Sequence, residues 1–292
     1  MSGLNRLLTG CRLNISISES TDSTDRGHST SQVNRVTLQA AAALVGQGAG
    51  VVFGHDWRDD GVMEAVHGFA QHMQPPSTEG GEAEPLLWNL LPWPKTPGLE
   101  LHERQRMQST LRVDLVGLPE QLARYTDYPS TGPYFPYLQA GALTFLRQRL
   151  TDESQARLCL GGKLSGYSGR YPGIVEEAIL AIRAHMPLYI SGYLGGASRA
   201  VADALQGSPM PEAFRFSKPR YPRIPDDAQD TDHDFSPEES WDELRTFGVE
   251  GISRVNGLEP KQNVALFQSA GLDDLLGLVL GGLGRLRAEK RI

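Results

Sequence analysis

A chain of 292 residues with 39% apolar side chains is long enough for one large α/β domain or two small ones, with a hydrophobic core of ordinary size. Its formal net charge of −7 excludes broad nucleic-acid binding through phosphates, although a locally basic pocket can still hold one small anion. No run approaches the ~18 apolar residues needed to cross a membrane, and two cysteines, Cys11 and Cys159, exclude a disulfide framework and a four-ligand zinc site.

The N-terminus, MSGLNRLLTGCRL, has neither a long apolar centre nor a small-residue cleavage site. It does not read as a secretory signal, and the cytoplasm is the expected compartment. Leu13–Ser18 alternates Leu, Ile and Ile with Asn and Ser and predicts the first strand. The polar segment after it, ESTDSTDRGHSTS, reads either as a mobile loop or as a ligand-facing loop at the carboxyl end of that strand. A helix follows from about Gln32 to Val45, with Val33, Val36, Ala40 and Leu44 on one side. Gly46, Gly48 and Gly50 stop it.

Val51–Phe53 predicts the second strand. It runs into Gly54-His55-Asp56-Trp57-Arg58-Asp59-Asp60-Gly61 and then a helix, Val62–Met73, with Asp60 as its N-cap. Residues 74–84 read as a surface insertion. Leu86–Leu91 and Leu111–Val116 predict two further strands, with a loop or short helix between them. A stretch rich in Pro, Gly and Tyr, Tyr128–Tyr137, leads into a helix, Tyr137–Leu150. Arg147 and Arg149 stand near its end, where cations suit the helix dipole.

Residues 156–206 then form the centre of the pattern. The apolar run Ala156–Leu160 predicts a buried strand, with Cys159 as a small core residue. A glycine-rich segment, Gly161–Gly173, leads into a helix from Pro172 with Ile174, Ala178, Ile179 and Ile182 on one face. A short strand, Leu188–Ser191, a second glycine turn, Gly192–Gly196, and another helix complete the unit. Strand–loop–helix repeated in this way defines an α/β fold, a Rossmann-like, doubly wound, mainly parallel sheet, whose ligands bind beyond the carboxyl ends of the strands. The Pro-rich, then acidic stretch 207–234 reads as an exposed linker or crossing loop. Ser236-Pro237-Glu238-Glu239 starts a helix, with Ser236 as N-cap and Glu239 closing a capping box. The tail 272–287 is an amphipathic helix whose glycines 277, 281, 282 and 284 point to close backbone packing. The expectation is a single domain over 1–292, with its core at about 13–206 and a C-terminal helical extension at about 236–288.

Three glycine loops follow three strands. Glycine lets backbone N–H groups approach an anion, and a helix N-terminus adds partial positive charge. The expected binding residues are Gly54, Asp56, Arg58 and Gly61 from the first loop. Gly161, Gly162, Lys163, Ser168, Arg170 and Gly173 come from the second, and Gly195 and Gly196 from the third. Arg58, Lys163 and Arg170 supply cations around one cleft. Asp56 and Glu176 offer carboxylates for ribose hydroxyls, or for the positive charge that develops on a sugar as its base leaves. Each has a structural alternative, a solvated loop cation or an acid at a helix N-terminus. Neither the P-loop nor the G-x-G-x-x-G spacing is present, no metal ligand set stands out, and no cofactor is expected.

The segment 161–178, GGKLSGYSGRYPGIVEEA, resembles the second signature of the SLOG superfamily of Rossmann-like proteins. The segment 54–64, GHDWRDDGVME, resembles its first. That superfamily includes LOG-type phosphoribohydrolases, the DNA-processing protein DprA and the cytosolic sensor modules of TRPM channels. The chain is similar above all to prokaryotic TRPM-like SLOG sensors of defence and conflict systems, over roughly Leu13–Leu205. The phosphoribohydrolases carry P-G-G-x-G-T-x-x-E. Aligning their glutamate on Glu177 keeps Gly173 but puts Ile174 at the threonine; aligning it on Glu176 loses the threonine and the glycine before it as well. Neither register keeps the catalytic loop intact.

The resemblance therefore implies a sensor module that binds a nucleotide-derived ligand, ADP-ribose-like or a related signalling nucleotide, and works with a separate effector protein. A homo-oligomer is compatible with it. The first alternative is a nucleotide N-glycosidic-bond hydrolase with Glu176 as its catalytic carboxylate. The second is an interaction scaffold with a vestigial pocket.

Overall fold

The computed structural model describes residues 6–54, 62–73, 84–94, 101–215, 221–226, 228 and 236–292. The chain opens with β1 (Arg12–Ser18), α1 (Thr21–Asp25), α2 (Thr30–Gly46), β2 (Gly50–Phe53) and α3 (Met63–Met73). It continues with β3 (Leu87–Pro92), α4 (Leu101–Met107), β4 (Leu111–Val116), a 3-10 helix (Glu120–Tyr125), α5 (Phe135–Asp152), β5 (Ala156–Gly161), α6 (Gly173–Arg183) and β6 (Leu188–Ser191). The remaining helices are α7 (Gly196–Leu205), α8 (Glu212–Arg215), α9 (Pro237–Asn256), α10 (Pro260–Phe267) and α11 (Leu272–Ala288). The strands form a single sheet of 6 in the order β4-β3-β2-β1-β5-β6. Every pairing is parallel, so the fold is Rossmann-like. No helix among the described residues is long and apolar enough to cross a membrane.

Both faces of the sheet are covered except along the edge strand β4, which is why β2, β3, β5 and β6 read as nearly unbroken apolar runs. Leu13, Ile15, Ile17, Leu158, Leu160 and Tyr189 pack with α2, α3 and α11 on one side. Cys159, Leu188 and Ile190 pack with α6, α7 and α9 on the other, and Val52, Trp88 and Leu90 pack there with α5. The outer edge of β6 is closed by α10, through Gly192 N–H to the Phe267 carbonyl. Asn256 Nδ2 from the end of α9 also donates to the Leu188 carbonyl, at 3.0 Å.

Several local expectations change. The polar segment 19–31 contains α1, whose N-cap Ser20 accepts the Ser23 N–H at 3.0 Å. Helix α2 starts at Thr30 because Ser29 and Gln32 satisfy each other's backbone N–H groups in a capping box. The stretch expected to be a linker holds α8, and Phe214 there is buried against Tyr171 and Trp241. At the start of α9, Ser236 accepts the Glu239 N–H at 3.4 Å as expected of an N-cap. Of the four glycines in α11, Gly282 carries the close approach: a Cβ there would stand 2.6 Å from the Asn256 carbonyl oxygen. Nothing lies within 4 Å of the same position at Gly277 or Gly281.

Candidate functional site

The sheet changes direction of growth between β1 and β5, the point where a doubly wound sheet opens a crevice beyond its carboxyl ends. Ser18 and Gly161 are register partners there. Gly162 N–H donates to the Ser18 carbonyl at 2.8 Å, and Ala197 N–H donates to the Gly162 carbonyl at 2.7 Å. The β5 loop is thereby laced between the end of β1 and the start of α7. The β6 loop closes the corner. Gly195 and Gly196 have φ of +70° and +62°, and a side chain on Gly196 would collide with the Gly162 carbonyl. A cavity of about 400 Å³ opens at this corner, lined by Glu19, Ser20 and Asp22 from the β1 side, Lys163 and Ser165 from the β5 loop, and Gly196.

A second cavity, of about 220 Å³, lies against the α5/α6 side of the sheet. Asn14, Ser16 and Ser18 of β1 line it with Gly54, Arg147, Gly173 and Glu177, and Leu143, Leu146 and Ile174 add apolar wall. The polar groups are knitted together. Ser16 Oγ lies within hydrogen-bond distance of both Glu177 Oε2 and Asn14 Oδ1, and its single proton serves one of them at a time. Arg157, fully buried, donates through Nε to Asn14 Oδ1 at 2.7 Å and through Nη1 to the Glu177 carbonyl at 2.7 Å. Arg147 Nη1 pairs with Glu176, and its Nε lies 3.7 Å from Glu177 Oε1. Burial, reinforced by the Glu177 charge, pushes the neighbouring Cys159 thiol up to about 12.

The residues named from sequence are distributed unevenly. Lys163 and Gly196 line the larger cavity, and Gly161, Gly162 and Gly195 build the backbone around it. Gly54 and Gly173 line the smaller one. Ser168 is exposed on the β5 loop. Arg170 does not join Lys163: it lines a separate groove between α5 and α6 with Gly141 and Arg183, its guanidinium carbon 6.0 Å from the Tyr137 ring centroid. Glu176 is fully buried in its pair with Arg147, whereas Glu177 faces the smaller cavity. Asp56, Arg58 and Gly61 lie outside the described residues.

Asn14, Ser16, Arg157 and Asp22 were not singled out by sequence reasoning, and Arg147 was read only as a cation near the end of its helix. The alternation of β1 held a signal for two of them, since Asn14, Ser16 and Ser18 share one face of a strand with no free face. Arg147 is not a last-turn cation; Arg149 occupies that position.

Fold and crevice together define a Rossmann-like protein with a polar cavity at its switch point. A family model described as SLOG cluster2 matches residues 7–266, and the chain belongs to this SLOG family. The match runs beyond the glycine loops to include α9 and nearly all of α10. No curated protein matches the chain. Membership of this family fits a domain that binds or processes a nucleotide-related ligand.

Proposed function

We propose that the chain binds a nucleotide-derived ligand, ADP-ribose-like or a related signalling nucleotide, in the crevice at the ends of β1, β5 and β6, and acts as a sensor that reports to a separate effector protein in a defence or conflict system. The observation that carries this reading is the corner itself: an open cavity at the switch point, with a lysine beside glycine-built backbone. The binding role is favoured over hydrolysis because Glu176 is held beneath the surface by Arg147. A carboxylate committed to a buried guanidinium is poorly placed to stabilise charge developing on a sugar.

A hydrolase reading keeps one specific support, the Glu177 carboxylate on the wall of the smaller cavity. A thermal-shift screen with nucleotides, followed by chromatography of the same mixtures, separates the two. A ligand at about 100 times its Kd raises stability by ~2.7 kcal/mol. The sensor reading expects such a shift with the ligand recovered intact. Released base that disappears in Glu177→Gln would replace sensor by hydrolase, and the absence of any shift across the nucleotide set would remove ligand binding altogether.

A further inference from the structure

The larger cavity carries charges of both signs, and Asp22 is oriented by contacts that settle what it can still bind. Its Oδ2 accepts the Gly196 N–H at 2.7 Å, at the start of α7. Arg26 Nε lies 3.2 Å from each of its oxygens. The α1 segment that carries it is fastened down by Ser23 Oγ, which donates to the Leu194 carbonyl at 2.6 Å. The first N–H of α7 is therefore already taken by an internal carboxylate, and that end of the cavity does not select an anion. A carboxylate has about four acceptor positions, and these contacts leave capacity on Oδ1. Glu19 stands on the same wall, and Lys163 on the wall supplied by the β5 loop.

Resting on the nucleotide-binding reading above, we infer that this cavity takes a ribose phosphate with a defined polarity. The sugar hydroxyls donate to Asp22, and the phosphate lies toward Lys163. Asp22 is thus the residue that selects ribose over deoxyribose. An acceptor-only carboxylate rewards a hydroxyl donor and repels a phosphate, while an ammonium does the reverse.

Calorimetric titration with ribose 5-phosphate, 2-deoxyribose 5-phosphate and inorganic phosphate tests this directly, and the comparison on the wild type needs no variant. The wild type should bind the ribose form about tenfold more tightly than the deoxy form, the effect of one hydrogen bond to a charged acceptor, and inorganic phosphate more weakly than either. In Asp22→Asn, whose amide oxygen can still accept the Gly196 N–H, the preference should shrink below about threefold. Lys163→Ala should weaken both sugar phosphates by the same factor and keep their ratio. Equal binding of the two sugars by the wild type, a preference that survives Asp22→Asn, or inorganic phosphate bound as well as ribose 5-phosphate overturns the assignment while nucleotide binding stands. A wild type whose melting neither ribose 5-phosphate nor any nucleotide shifts overturns both.

Discussion

Arg147 explains two of the glycines in the β5 loop. A Cβ at Gly169 would stand 2.7 Å from its Nη1, and one at Gly173 would stand 2.8 Å from its Nη2. A side chain at either position would crowd the guanidinium that reaches Glu176. Removing it strands a fully buried carboxylate, which costs about 3–5 kcal/mol. Urea unfolding of Arg147→Ala should show that loss, and the double variant Arg147→Met with Glu176→Leu should recover much of it, because an apolar pair of similar volume needs no charge compensation. A double variant no more stable than Arg147→Ala would count against a compensating pair. His185 offers a change in the opposite direction. It holds φ of +51° just beyond the end of α6, where glycine meets no Cβ penalty. His185→Gly should raise stability by about 1 kcal/mol, read as a higher urea midpoint at unchanged slope.

At the scale of elements, the crevice depends on three loops that cannot move apart independently. Gly196→Ala should disrupt the junction of the β1, β5 and β6 loops, because the new methyl meets backbone rather than a flexible side chain. It should lower the melting temperature and abolish any nucleotide-induced shift. Gly277→Ala in α11, where nothing lies within 4 Å, should stabilise by about 0.5–1 kcal/mol and serves as the control. Ile190→Ala, in a strand buried on both faces, should cost about 2–5 kcal/mol. Strands β2, β3, β5 and β6 were legible because a fully covered parallel strand is an apolar run bounded by turn residues, and β1 by its alternation of apolar and polar residues. Helix α1 was not legible, because a five-residue helix capped by one serine has no apolar period to announce it. The choice between Glu176 and Glu177 was equally hidden. Neighbours on a helix point about 100° apart, so the phase of the first turn decides which one faces the cavity. Arg170 was grouped with Lys163 because the two share a loop. The loop turns between them, and Arg170 leaves it on the α5 side.

For the whole molecule, buried titratable groups bound the pH range in which the crevice exists. Cys159 is raised from 9.0 to about 12, chiefly by burial. Burial also raises Tyr171 and Tyr189 above their ordinary 10.0. Each is an acid that keeps its proton longer folded than unfolded. Their contribution to stability is complete below about pH 9 and is lost as pH climbs toward 12, because there the unfolded chain releases protons that the folded chain retains. His67 sets the other side. Burial, with Arg106 adding to it, lowers its pKa below 6.5, so its contribution is complete above that pH and is lost as pH falls through the folded value. These groups predict a plateau between about pH 6.5 and 9, with urea midpoints falling on both sides. Below it the unfolded chain binds the extra proton at His67; above it the unfolded chain gives one up at Cys159. The same burial keeps Cys11 and Cys159 from aromatic disulfide reagents, so both thiols should react only after denaturation. A midpoint that keeps rising from pH 9 to 11, or a thiol that reacts at the rate of a free peptide in the folded protein, would contradict a Cys159 sealed beneath the Ser16–Glu177 network.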